Sequence, residues 1–123
     1  MVKKLEDLRV YKIAEELADR IWFICIKWGV FARATVGRQF VRAVDSIGAN
    51  IAEGYGRYHY KENLVFLYYA RGSLEETKFW LSRSYRRKLI TEKEFKELDT
   101  TFEEFAPQLN AYINSIGKAL NAQ

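Results

Sequence analysis

The sequence is poor in residues that interrupt helices and in residues that build metal sites. Its 123 residues include one proline, seven glycines, one cysteine and one histidine. The lone cysteine, Cys25, cannot form an intramolecular disulfide, and it lies in the apolar segment 21–26, where a buried and unreactive thiol is expected. Because helix breakers are rare, the composition favours long helices in one domain over residues 1–123.

The shortage of histidine and cysteine argues against several classes of enzyme and metal protein. A di-iron bundle of the ferritin type needs two Glu-x-x-His motifs, and a structural zinc site needs about four Cys or His ligands. His59 lies in a predicted turn, with no neighbouring motif that would make it a catalytic base. The glycine-containing segment 54–57 follows a predicted helix and not a strand, so a helix end is favoured over a phosphate-binding loop. We expect no enzyme activity, metal or cofactor.

Long apolar runs are also missing. The longest, residues 21–26, is far shorter than the ~20 residues that a membrane span requires. The carboxylates Glu6 and Asp7 come too early in the chain for a signal peptide. We therefore expect a soluble, cytoplasmic protein with no membrane partner.

Apolar residues do recur at three- and four-residue intervals, which is typical of helices with one buried face. Four such segments predict helices over about residues 5–27, 35–53, 60–88 and from residue 92 onward. Short connections between four helices predict an all-α, antiparallel, up-down-up-down four-helix bundle.

Polar residues and helix breakers mark the ends of these segments. Thr35 is a plausible N-cap for the second helix, and Thr91 with Glu94 forms a capping box before the fourth. Gly54 is predicted to end the second helix in left-handed backbone. Pro107 is predicted to kink the fourth helix, because it lacks an N–H and its ring crowds the preceding turn.

The first and third predicted helices carry more apolar residues than a single buried face needs. Residues 21–26 are apolar on almost every side, and the third helix has two apolar stripes, one through Leu67 and Leu74 and one through Phe66 and Ala70. A helix that is apolar all round must be covered all round. A second copy of the chain is the natural cover, so we expect a homo-oligomer.

The positive charge is concentrated in two parts of the chain. Residues 33–61 carry five basic and two acidic side chains, and residues 78–90 carry five basic and no acidic ones. Such concentrations attract polyanions, although cations near helix ends also complement the helix dipole or pair with acids. The candidate nucleic-acid-binding residues are Arg33, Arg38, Arg42, Arg57, Arg83, Arg86, Arg87 and Lys88.

A second set of polar residues predicts a structural network near one end of the bundle. Asn50 and Glu53 share a helix face, and a buried carboxylate needs a cation or several donors. Arg42 or Arg71 is the candidate cation, and Arg57 is a further member of the network. The alternative is that the same residues form a ligand-binding patch.

Two stretches of the sequence resemble one bacterial family. Residues 39–57, which include Ser-Ile-Gly-Ala-Asn-Ile-Ala-Glu-Gly-Tyr-Gly-Arg at 46–57, are similar to the signature of the 23S rRNA intervening-sequence proteins, also called S23 ribosomal protein-like. Residues 70–75, Ala-Arg-Gly-Ser-Leu-Glu, resemble the family's second block. The resemblance extends over about residues 8–89. It weakens after Glu75, where residues 78–80, Lys-Phe-Trp, are bulkier than the family pattern.

The resemblance implies a four-helix bundle without enzymatic activity. Relatives include the accessory variability determinant proteins of retroelements, which look like ring-shaped homopentamers and bind nucleic acid and a reverse transcriptase. It therefore implies an oligomeric accessory protein, most simply a pentamer, that binds RNA or DNA through basic patches and has a reverse transcriptase or another protein as a further partner. The alternative is a protein–protein interaction scaffold that binds no nucleic acid.

Overall fold

The computed structural model describes residues 4–123, and all regular structure within that range is helical. The elements are a 3₁₀ turn Leu5–Asp7, α1 Arg9–Cys25, α2 Val30–Ala32, a π-helical turn Arg33–Gly37, α3 Arg38–Tyr55, α4 Tyr60–Arg86 and α5 Glu92–Asn121. Four of these helices are long, namely α1, α3, α4 and α5. The predicted all-α four-helix bundle is confirmed.

Consecutive long helices pack side by side. α1 contacts α3, α3 contacts α4, α4 contacts α5, and a smaller contact between α1 and α5 closes the ring. Each connection is short, so the chain reverses direction between neighbours. The start of α3 and the end of α4 consequently lie at the same end of the bundle.

The core is built from one face of each long helix. Along α4 the buried side chains repeat at alternating three- and four-residue steps, which is the spacing of a heptad seam: Asn63, Leu67, Ala70, Leu74, Thr77, Leu81 and Ser84. The Thr77 hydroxyl donates to the carbonyl oxygen of Ser73 at 2.7 Å, and the Ser84 hydroxyl does the same to Trp80. These two polar side chains are therefore satisfied within their own helix.

The N-terminal part of the second helical segment differs from the prediction. Gly29 is the N-cap, and the chain is already helical from Val30, so Thr35 lies inside the π-helical turn. The Thr35 hydroxyl donates to the carbonyl oxygen of Phe31 at 2.7 Å and caps nothing. The prediction of Thr35 as N-cap is wrong because no helix breaker separates Val30 from Thr35, and the helix simply begins earlier.

The predicted role of Gly54 is also wrong. Gly54 lies inside α3, and Gly56 is the C-cap with a φ of −77°. Between residues 4 and 123 no glycine has a positive φ, and the left-handed residue is Lys88, with a φ of 62°. The small size of Gly54 is required for a different reason, because α4 approaches it closely.

The other helix ends follow the sequence more closely. α1 ends at Cys25 and α4 at Arg86, each two residues before its predicted end. The capping box at Thr91 and Glu94 is confirmed. Pro107 lies inside α5 and is exposed, and the kink expected there stays a prediction.

Candidate nucleic-acid interface

The fold joins parts of the two basic clusters that the sequence keeps apart. Arg33 and Arg38 lie where the π-helical turn meets α3, and residues 83–88 lie at the end of α4. These segments meet, because the π-helical turn contacts α4 and one groove is lined from both sides by Thr35, Gln39 and Arg87. We call the cations on these two segments the basic end, which consists of Arg33, Arg38, Arg83, Arg86, Arg87 and Lys88. Within it, Arg87 lines the groove shared with α4, whereas Arg33 and Arg38 line a second groove on the α1 side.

The other two candidate arginines form ion pairs with carboxylates. Arg42 forms an ion pair with Glu76 and also donates to the Gln39 side chain. Arg57 pairs with Glu53 at 2.6 Å and with Glu62 at 3.7 Å. Arg57 also follows the end of α3, roughly 27 Å along the helix axis from Arg38. It does not join the basic end.

The six cations of the basic end differ from these two in having no carboxylate oxygen within 4.0 Å among residues 4–123. Five of them are exposed and the sixth, Arg83, is half-buried. Unpaired, solvated cations in one place produce a positive field that attracts phosphates.

Arg83 has a structural contact that its neighbours lack. Its guanidinium carbon lies 5.3 Å from the centroid of the Phe79 ring, a cation–π arrangement. Its Nε is buried and has no hydrogen-bond partner in the described part of the chain. Arg86, Arg87 and Lys88 are therefore the better choice for charge removal, because a change at Arg83 would also disturb packing.

A tight turn after α4 presents these last cations to solvent. The Leu89 N–H donates to the carbonyl oxygen of Ser84 at 2.8 Å, and the Lys88 N–H donates to Tyr85 at 3.0 Å. With Lys88 in left-handed backbone, this is the Schellman arrangement that closes a helix C-terminus. The turn reverses the chain within a few residues, so Arg86, Arg87 and Lys88 remain at the bundle surface.

Sequence reasoning missed an apolar groove beside the basic end. It has a volume of about 650 Å³, and its lining side chains are mainly apolar, with Phe31, Val36, Trp80 and Leu89 as the large ones. Phe31 is 82% exposed. The available signal was the pair Val30-Phe31, because two large apolar residues next to Gly29 are unusual in a solvated loop.

Further apolar side chains are exposed on α1 and α4. Trp22, Phe23 and Ile26 lie near the end of α1, as expected from the apolar segment 21–26. On α4, Tyr60 and Tyr85 are exposed near the two ends of the helix, and the remaining exposed residues share one face: Val65, Tyr68, Tyr69 and Phe79. Gly72 lies on the same face, and a Cβ there would meet nothing within 4 Å.

The predicted polar network is divided into separate contacts. Asn50 donates to the carbonyl oxygen of Ser46 at 2.8 Å, and Glu53 pairs with Arg57. Arg71 reaches Asn110 at 3.4 Å and lies over the Tyr68 ring at 5.2 Å. Among residues 4–123 no hydrogen bond or ion pair joins Asn50, Glu53 and Arg71 to one another, and the Glu53–Arg57 pair is the part of the network that is present. Glu53 in the last turn of α3 pairs with Arg57, which lies just past the helix end, so Glu53 needs no cation from α4.

The residues with reactive side chains are not gathered into a site. Cys25 is buried, and desolvation raises its pKa to about 12, so the thiol is neutral. His59 is exposed at the N-cap position of α4. Among residues 4–123 no three His, Cys, Asp or Glu side chains are placed to hold a metal ion. Over the same residues no helix has the length and apolar character needed to cross a bilayer.

Comparisons with known proteins agree with this architecture. A family model described as 23S rRNA-intervening sequence protein matches residues 6–111. Among solved structures, the chain is similar to a protein of unknown function from the S23 ribosomal protein family of Bacteroides thetaiotaomicron. The two share 25% identity and a TM-score of 0.73, over 85% of this chain and 97% of that one. A comparison with curated proteins gave no significant match.

Proposed function

Because the chain belongs to the 23S rRNA-intervening sequence protein family, we propose that it is a non-enzymatic, oligomeric accessory protein that binds RNA or DNA through its basic end. The observation that carries this proposal is the set of six cations without carboxylate partners at one end of the bundle. Contacts from such cations go to phosphates, so they give affinity without base specificity. The proposal also includes a protein partner, and a reverse transcriptase is one candidate for it.

Oligomer formation is the second part of the proposal, and two features of α4 support it. Val65, Tyr68, Tyr69 and Phe79 are exposed on one face. Gly72 lies among them in mid-helix, where glycine is about 1 kcal/mol less favourable than alanine. Its own chain does not require this glycine, since a Cβ would meet nothing within 4 Å. A close approach of a second copy explains both features, and the family resemblance suggests five copies.

A ring of copies would repeat the basic end around its circumference. A weak contact at each copy then becomes strong overall, because later contacts form at a high effective concentration. This matters here, since each basic end offers only a few phosphate contacts.

The test of nucleic-acid binding is a titration of labelled RNA and DNA at increasing salt, followed by fluorescence anisotropy. Arg86→Gln with Arg87→Gln removes two exposed cations and keeps helix propensity. We expect weaker binding and a shallower salt dependence, with the slope falling by about 0.7 to 0.9 for each lost phosphate contact. The matched control is Lys12→Gln with Lys118→Gln, which removes the same charge from exposed helical positions toward the other end of the bundle.

Two results would contradict the proposal. If the control weakens binding as much as the Arg86 and Arg87 changes do, net charge and not the basic end is responsible. If the parent protein binds neither RNA nor DNA at low salt, the scaffold alternative is favoured instead.

Assembly has its own test. Gly72→Leu adds a side chain where its own chain leaves space, so the bundle should fold normally while a close contact between copies is blocked. We expect light scattering to give a lower mass for this variant than for the parent. Gly117→Leu is the control, because Gly117 is also an open helical glycine but lies on α5. A parent that is a stable monomer at micromolar concentration rules out this part of the proposal.

A further inference from the structure

We infer that the apolar groove at the basic end receives an unpaired base, so that the protein prefers single-stranded nucleic acid to a duplex. The inference rests on the proposed function, since it names the form of nucleic acid that the basic end binds. It adds a contact that phosphate binding alone does not provide.

The groove is lined by two aromatic side chains, the residue type on which bases stack. Phe31 from α2 and Trp80 from α4 are both among its lining residues, and Val36 and Leu89 supply further apolar surface. Its volume of about 650 Å³ lies within the range of about 300–1,000 Å³ that is usual for small-molecule sites. Aromatic side chains in an electropositive groove are the usual means of binding single strands, because every base has a π-face.

Phe31 is the lining side chain whose exposure the packing of the bundle does not explain. It is 82% exposed, in contrast to the half-buried Trp80, which packs against the core. An aromatic ring held in water on the wall of a groove gains free energy when another planar ring covers it. Exposure of the Phe31 ring to water is unfavourable, and a ligand that stacks on the ring would remove that cost.

The polar residues of the groove suit a nucleotide as well. Arg87 is the only charged residue of the lining. The Glu76 carboxylate lies beside the groove, where it accepts from Trp80 Nε1 at 3.4 Å, and its charge is paired with Arg42. Gln39 Oε1 accepts from Arg42 at 3.1 and 3.2 Å, which leaves the Gln39 amide nitrogen to donate to a base edge. Arg86 and Lys88 are the chain neighbours of Arg87, and their charge is complementary to that of the flanking phosphates. Arg33 and Arg38 lie on the side of their segment that faces α1, where they line a separate groove with Trp22 and Ile26.

Duplex and single strand are distinguished by this geometry. A duplex keeps its bases stacked inside the helix and offers only phosphates and groove edges to the basic end. A single strand can turn one base into the groove while its neighbouring phosphates contact the cations. An acidic peptide with an apolar anchor would also match the charge of the groove, but it would not use the stacking surface of two aromatic rings, and it is an outcome of the test below.

The experiment compares Phe31→Ala with the parent for binding of a labelled single-stranded RNA and of its perfect duplex. We expect the parent to bind the single strand more tightly. Phe31→Ala should weaken single-strand binding by about tenfold, the typical effect of losing one stacking contact. Duplex binding and the salt slope should not change, since no cation is removed. Tyr58→Ala is the control, because Tyr58 is 93% exposed and lies in the connection after α3, away from the basic end.

The possible failures are distinguishable. If Phe31→Ala binds the single strand like the parent while the Arg86 and Arg87 changes still weaken binding, the base site is wrong and the proposed function stands. If the parent binds no nucleic acid, the proposed function itself fails. If Phe31→Ala lowers the mass in light scattering, the groove is a contact between copies and the inference is overturned. If an acidic peptide displaces the RNA and depends on Phe31 while duplex and single strand bind equally, the occupant is a protein segment and the inference is again overturned.

Discussion

Gly54 of α3 and Asn63 of α4 lie so close together that a Cβ on Gly54 would come within 2.6 Å of Asn63 Oδ1 and 3.0 Å of the Asn63 carbonyl oxygen. The Phe66 Cβ would be 3.1 Å away. A side-chain amide can rotate away from such a contact, but a backbone oxygen and a Cβ cannot. The pair therefore fixes the distance between α3 and α4 at this end of the bundle.

Gly54→Ala should consequently destabilise the protein, even though alanine is the better helix former. We expect the free energy of unfolding in urea to fall by about 1–3 kcal/mol, the usual effect of overpacking. Gly117→Ala is the control, because a Cβ there would meet nothing within 4 Å. It should raise stability by up to about 1 kcal/mol. Equal effects of the two changes would show that helix spacing does not depend on Gly54.

The capping box at the start of α5 is expected to stabilise that helix. The Glu94 N–H donates to the Thr91 hydroxyl at 3.0 Å, and the Thr91 N–H donates to the Glu94 carboxylate at 2.9 Å. Thr91→Ala removes the acceptor and leaves an N–H of the first turn without its partner. The free energy of unfolding should fall by about 1 kcal/mol. Thr100→Ala, an exposed change within α5, should be neutral or slightly stabilising.

The left-handed backbone at Lys88 predicts a stabilising substitution. A non-glycine residue with a φ of 62° is unfavourable by about 1 kcal/mol, and glycine relieves that strain. Lys88→Gly should therefore raise the midpoint of thermal unfolding. Lys12→Gly, at an exposed position inside α1, should lower it, because glycine there only weakens the helix. A decrease for Lys88→Gly would contradict the strained turn.

The thiol of Cys25 predicts a specific dependence of stability on pH. Burial raises the pKa of Cys25 to about 12 in the folded protein, whereas an unfolded thiol has a pKa of about 8.5. The folded state therefore holds the proton more tightly than the unfolded state. The corresponding stability is fully present below the unfolded pKa and is lost progressively as pH rises from about 8.5 toward 12.

The measurement compares the free energy of unfolding of the parent with that of Cys25→Ala as pH increases. Other groups titrate equally in both proteins, so the difference isolates the thiol. The difference should be constant below about pH 8. Above that pH, the free energy of unfolding of the parent should fall relative to that of Cys25→Ala by about 1.4 kcal/mol per pH unit, while the unfolded thiol ionises. A difference that does not change with pH would mean that the Cys25 thiol is not desolvated.

Sequence alone determined the number and type of the elements, because local forces set them. The spacing of apolar residues specified four helices, and the Thr91–Glu94 box marked the start of α5, since both depend on residues a few positions apart. The resemblance at residues 39–57 and 70–75 indicated the same family that the matched model identifies. The exposed apolar residues of α1 were likewise readable from the segment 21–26.

Tertiary structure decided which residues meet. Arg38 and Arg87 are far apart in the sequence, and only the antiparallel packing of α3 and α4 brings their segments to one end of the bundle. In the sequence, Arg42 and Arg57 carry the same charge as Arg38 and Arg87, but in the structure both form ion pairs with nearby carboxylates. The groove that includes Phe31 has walls from two helices, and the size limit at Gly54 comes from α4. Helical periodicity is a local property, whereas ion pairing, groove shape and close approach depend on distances that only the packed bundle fixes.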